Sequence, residues 1–185
     1  MKMPIKIGLL SSMIWMGITL IFFYRGHSKE GFDAGILINV FLLLSGIAVG
    51  LYLKRREEKF VQTAFLEDLK SAMQAGIVYT VAVAAFVYYY HENVDPSIKN
   101  GLIDARIEAL HEAVPDAEAY KELQAKDNTW QDKSYDDYIE NQEDIIHSVI
   151  SSKSVFLMHL AGLFFFSLIY SFFSVIVLRK VVLRN

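Results

Sequence analysis

Two carboxylate–histidine spacings are the residues best placed to do chemistry: Glu108-x-x-His111 and Asp144-x-x-His147, each with another acid one turn earlier, Asp104 and Glu140. A separation of three puts both groups on one helical face, as in the dimetal sites of helical bundles. The expectation is a metal site made by Glu108, His111, Asp144 and His147 where two helices face each other. The plainer reading is a solvated acidic surface, because residues 91–153 carry fifteen acids and six bases, dense enough to produce such spacings by chance. The five histidines, His27, His91, His111, His147 and His159, could supply a haem pair only at matched depth, and only His159 falls inside an apolar run. No cofactor is therefore expected. The chain has no cysteine, which removes disulfides, thiolate metal sites and iron–sulfur clusters. Nucleophile-elbow, H-E-x-x-H, P-loop and dinucleotide-turn patterns are all missing, so the sequence reads as a protein that is not an enzyme.

Three other polar side chains lie in otherwise apolar surroundings: Asn39, Gln74 and His159. Each should face the interior of a helix bundle, since a polar group in hydrocarbon needs a partner. They could also line the path of a small oligomeric transporter or channel. Against transport, no Asp, Glu, Lys or Arg occurs within the apolar runs, so a proton-coupled carrier or charge-selective pore lacks its usual working group.

These residues must be positioned by helices that cross a bilayer. Residues 7–24, 34–53, 72–90 and 155–178 form four apolar runs of 18, 20, 19 and 24 residues. About 20 residues at 1.5 Å each span a hydrocarbon core roughly 30 Å thick. The 54% hydrophobic content fits a chain whose surface faces lipid. The first run is longer than a signal-peptide core, and no small-x-small cleavage site follows it before Tyr24-Arg25, so it is expected to remain as a helix. Gly46 and Gly50 form a small-x-x-x-small pair that lets another backbone approach, within the bundle or between protomers. The fold class expected is an all-α membrane protein with four transmembrane helices.

Charge sets the expected orientation. Ten bases, Lys2, Lys6, Lys54, Arg55, Arg56, Lys59, Lys70, Arg179, Lys180 and Arg184, fall on one side of the four runs. The short turn on the other side sets Arg25 and Lys29 against Glu30 and Asp33, and the acidic segment follows on that same side. Basic flanks stay cytoplasmic, which places both termini and the basic loop inside and residues 91–153 outside. Between the second and third runs, residues 54–71 read as a basic cap, Lys54, Arg55, Arg56 and Lys59, on anionic lipid headgroups. Phe60, Val61, Ala64, Phe65, Leu66 and Leu69 follow as one face of an interfacial amphipathic helix before the third span. A docking surface for a cytoplasmic protein is the alternative.

The acidic insertion is expected to be helical. Asp95-Pro96 marks a start with Pro at the first helical position, Pro115 a stop, and a short helix follows from Asp116 to about Ala125. A polar turn around residues 127–133 holds Trp130. Ser134 and Asp137 then open another helix, which can run straight into the fourth span. The insertion is too small for a large core, so its helices should pack on each other, on the membrane face or across a dimer. Its acidity argues against nucleic acid. Partners are thus the lipid bilayer and either another copy or other membrane subunits.

The chain also resembles a bacterial four-span membrane family known as domain of unknown function 4199. The residues that carry the resemblance are Phe65-Leu66-Glu67-Asp68-Leu69-Lys70, then Gly76, Tyr79, Phe86, Tyr88 to Tyr90 and Asp95-Pro96, with Tyr170-Ser171 and Arg179-Lys180 in the last span. It runs over nearly the whole chain. The resemblance implies a bacterial inner membrane and brings no activity, ligand or catalytic residue with it. The function expected is that of a structural or accessory membrane protein acting by helix packing, as a homo-oligomer or a subunit of a larger complex. A metal-dependent periplasmic activity is a further alternative.

Overall fold

The computed structural model describes residues 2–126, 130 and 133–181, with the backbone alone at 29, 30, 32, 33 and 126. Helices follow in the order α1 Met3–Tyr24, α2 Ser28–Glu57, α3 Phe65–Tyr89, a π-turn Tyr90–Val94, α4 Ser97–Ala113, α5 Ala117–Lys126, α6 Tyr135–Val149 and α7 Ser152–Val181. There is no strand among the described residues. The tail residue Arg184 and most of the expected turn at 127–133 lie outside the described residues.

The chain divides into two units, Met1–Tyr89 with Phe156–Asn185, and Tyr90–Val155. In the first, four helices are long and apolar enough to cross a membrane, α3 being counted with the π-turn that continues it. Their outward side chains are apolar, with Met13, Leu37 and Phe165 well exposed. That is the surface lipid requires. Inward, the helices present stripes at a spacing of four: Asn39, Leu43, Ile47 and Leu51 on α2 and Leu163, Ser167, Ser171 and Val175 on α7, all buried.

Small residues set the helix separations. The Gly46–Gly50 pair faces α1 of the same chain, a Cβ on Gly46 falling 2.8 Å from the Ser11 hydroxyl and one on Gly50 3.2 Å from Pro4 Cα. This resolves the pair as an internal contact. Gly8 lies on the Ala75 carbonyl of α3, and Gly76 of α3 on Ser167 of α7, both too close for any Cβ. Trp15 Nε1 donates to Gly35 O at 3.0 Å, tying α1 to α2, and its ring meets Phe86 edge-on at 5.8 Å.

The helices outrun the apolar stretches, and this corrects the expected interfacial helix. Residues 54–57 complete α2, 58–64 form a turn, and 65–71 are already α3. No separate helix stands between them. Phe60 N–H bonds Arg55 O at 2.8 Å and Lys59 N–H bonds Arg56 O at 3.1 Å, the Schellman ending of a helix. The residue after the cap is normally glycine, yet here Lys59 and Phe60 hold φ of 52° and 55°. Left-handed geometry costs a residue with a Cβ roughly 1–2 kcal/mol, so something must hold the turn. At the far end of α1, the equivalent residue is Gly26, φ 74°.

In the second unit the π-turn closes with Asp95 N–H on Tyr90 O at 2.9 Å. Asp95 Oδ1 accepts the Ser97 N–H at 3.2 Å, and the helix begins at Ser97, so Pro96 takes the cap position and not the first helical position expected of it. Asp116 Oδ1 accepts from Glu118 and Ala119 N–H, each 2.9 Å, to open α5. At α6 the capping box is complete: Ser134 Oγ accepts from Asp137 N–H at 3.2 Å while Asp137 Oδ2 accepts from Ser134 N–H at 3.2 Å. Val114, Tyr120 and Tyr138 form a small core, with Leu110, Leu123 and Trp130 against it. Tyr120 and Gln124 both donate to the carbonyls of Trp130 and Lys133 at 2.9–3.2 Å. α6 does not run on into the fourth span. The chain breaks at Ile150–Ser151, where Ser151 Oγ accepts from Ser154 N–H at 3.2 Å and so caps α7.

Candidate functional site

The stripes of α2 and α7 do not stop where the apolar runs stop. One further step of four beyond Leu51 is Arg55, and one beyond Val175 is Arg179; α3 contributes Asp68, one step before the buried Ala72. The three groups meet at one end of the first unit. Arg55 Nε stands 2.5 Å from Asp68 Oδ1 and Arg179 Nε 2.9 Å from Oδ2, so each carboxylate oxygen carries one guanidinium. Arg55 and Asp68 are fully buried, and the Arg179 side chain is 31% exposed.

The rest of the Arg55 fork holds the turn. Its Nη1 donates to Glu58 Oε2 at 3.1 Å and to Val61 O at 3.0 Å, and its Nη2 to Thr63 Oγ1. Arg179 reaches Thr63 O and lies over the Phe65 ring at 5.6 Å. Residues 58–64 are therefore wound around one cation, which offsets the left-handed strain at Lys59 and Phe60. With Glu58 counted, two cations face two anions, the condition for keeping such charges out of water.

This places the headgroup candidates differently from the sequence expectation. Arg55 is removed from lipid headgroups altogether, because its side chain has no exposed surface. Lys54 bonds Ser71 Oγ at 2.8 Å and Glu58 at 3.3 Å, while Arg56 and Lys59 are exposed. A cleft of about 430 Å³ opens beside the network, between the first turn of α1 and the α2 and α3 ends. Its charged lining is Lys2, Lys54, Lys70, Glu57, Glu58 and Glu67. Gln74 also lines it.

Asn39 is buried and accepts the Tyr79 hydroxyl at its Oδ1 (2.8 Å) and its backbone oxygen (3.1 Å), pinning α2 to α3. His159 is half-buried on α7. The four metal candidates are not brought together: His111 Nε2 pairs with Glu143 Oε1 at 2.9 Å, and Asp144 lines a separate groove with Lys133, Asp137, Glu140 and Asn141. Among the described residues no group of three or more histidines and acids is placed to hold a metal.

No curated protein and no solved structure matches the chain. The family described as a protein of unknown function, DUF4199, matches residues 6–180, a stretch that takes in all four spans, the intervening helices and every member of the Arg55–Asp68–Arg179 network. The chain belongs to that family.

Proposed function

We propose that this membrane protein is a non-catalytic structural or accessory component of a bacterial inner membrane, working through helix packing as a homo-oligomer or as a subunit of a larger assembly. The observation that carries the reading is where its interior polar groups are spent. Asn39 with Tyr79, Trp15 with Gly35 O, and Arg55 with Asp68 and Arg179 each join one helix to another. A transport pathway would need such groups free to exchange partners with a solute. Here they fix helix positions, leaving an apolar outer surface, including Phe164, Phe165, Phe172 and Phe173 on α7, to meet lipid or neighbouring spans.

The test is extraction in mild detergent followed by mass determination of intact particles. A self-assembled oligomer or a stoichiometric complex is the expected result. A monodisperse monomer that moves a solute across reconstituted vesicles would overturn the reading. The bases crowding the Arg55 end support an orientation with both termini in the cytoplasm. A cysteine placed at Lys133 should react with an impermeant maleimide in intact spheroplasts, and one at Lys59 should not; the opposite pattern would invert the topology.

A further inference from the structure

We propose that the cleft between the ends of α1, α2 and α3 binds a zwitterionic group that pairs a phosphate with a primary ammonium, as in the headgroup of an aminophospholipid. The proposal does not depend on the scaffolding role. Charge composition is the first argument: three ammonium groups, Lys2, Lys54 and Lys70, and three carboxylates, Glu57, Glu58 and Glu67, line one cavity. A simple anion would meet as many acids as bases there, and a simple cation as many bases as acids. Lys54 and Glu58 already pair with each other at 3.3 Å, and a ligand carrying both charges a few bonds apart can satisfy the remaining Lys2 and Lys70 together with Glu57 and Glu67.

Preorganisation is the second. Lys54 is held by Ser71 Oγ at 2.8 Å and Glu58 at 3.3 Å, and Ser71 is held in turn by donating to Glu67 O at 2.9 Å. One ammonium of the wall is thus fixed before any ligand arrives. Depth is the third. The cleft lies where the apolar runs of α1 and α3 begin and that of α2 ends, lined by Pro4, Ser71 and Gln74, so a headgroup seated in it leaves its acyl chains beside the exposed apolar helix faces. Gln74, deeper on α3, makes no side-chain hydrogen bond among the described residues and can donate its amide to a phosphate or ester oxygen. The volume, about 430 Å³, falls within the range of small-ligand pockets, roughly 300–1,000 Å³.

The experiment uses the full-length chain, delipidated in detergent and titrated with phosphatidylethanolamine or phosphatidylglycerol while bound lipid is counted by native mass spectrometry. Wild type should hold phosphatidylethanolamine about fivefold more tightly than phosphatidylglycerol. Glu57→Lys, at an exposed position, makes the lining four bases to two acids and should reverse that preference, with thermal unfolding confirming an intact fold. Equal affinity for the two lipids in wild type, or a Glu57→Lys variant with unchanged preference, overturns the proposal. Soluble O-phosphoethanolamine distinguishes the source: displacement of bound lipid at comparable concentration assigns the cleft to a soluble phospho-amine, and failure to displace assigns it to the lipid.

Discussion

Asp68 shows how much one carboxylate can organise. It is fully buried, forms an ion pair with each of two guanidiniums, accepts a hydrogen bond from that of Arg179, and links α2 and α7 to α3. Asp68→Asn leaves Arg55 enclosed with too little negative charge, and breaking a buried pair in this way costs about 3–5 kcal/mol. The expected result is a clear drop in melting temperature for the purified variant in detergent. The triple variant Arg55→Met, Asp68→Leu, Arg179→Met removes every member together and should recover most of that loss, because well-packed apolar replacements of buried ion sets are often neutral or better. An Asp68→Asn protein as stable as wild type would show that the ion set contributes nothing to the bundle. In composition Arg55 is one base among Lys54, Arg56 and Lys59, and nothing in their chemistry sets it apart. Its place on the Asn39, Leu43, Ile47, Leu51 stripe does, so the signal was in the register. Counting charges within the apolar runs missed it, because the ions sit a single turn beyond those runs.

Helix contacts were legible to differing degrees. The Gly46–Gly50 spacing announces a close approach, and the structure supplies the partner that spacing alone leaves open. Gly8 and Gly76 make tighter contacts still, with Ala75 and Ser167, partners that no local spacing identifies. Gly8→Ala should therefore force α1 from α3 at a cost of about 1–3 kcal/mol, whereas Gly17→Ala, with open space around its Cβ, should gain up to about 1 kcal/mol from helix propensity. Thermal unfolding of the two variants side by side separates packing from propensity. In the second unit, the Ser134–Asp137 signal translated directly into a capping box, because it needs only neighbouring residues. The Ser134 hydroxyl and backbone N–H hold the Asp137 carboxyl below its ordinary range. A folded value below the unfolded one means that the cap's contribution is complete above about pH 4, and is lost as pH falls through the lower folded value. Helicity by circular dichroism should accordingly hold from neutral pH to about pH 5 and decline only in stronger acid. Ser134→Ala should cost about 1 kcal/mol at neutral pH and weaken that acid dependence.

At the scale of the whole molecule, four spans and a helical insertion follow from apolar run lengths and polar interruptions, both local properties. The turn at 58–64 was not legible, because its amphipathic pattern fits an interfacial helix equally well. What decides between them is Arg179, which reaches Thr63 across a sequence separation of 116 residues. The metal spacings failed for a related reason: Glu108 and His111 share a face of α4, yet the partner brought to His111 is Glu143 and not Asp144. That long reach also bears on biogenesis. A ribosome delivers α2 and α3 to the membrane well before α7, and until the final span arrives Asp68 has only one of its two guanidiniums. The nascent bundle thus keeps an incompletely neutralised polar end through most of its synthesis. Closure is deferred to the last helix, so a chain truncated before Arg179 keeps Asp68 short of one guanidinium and the turn at 58–64 short of the contact at Thr63.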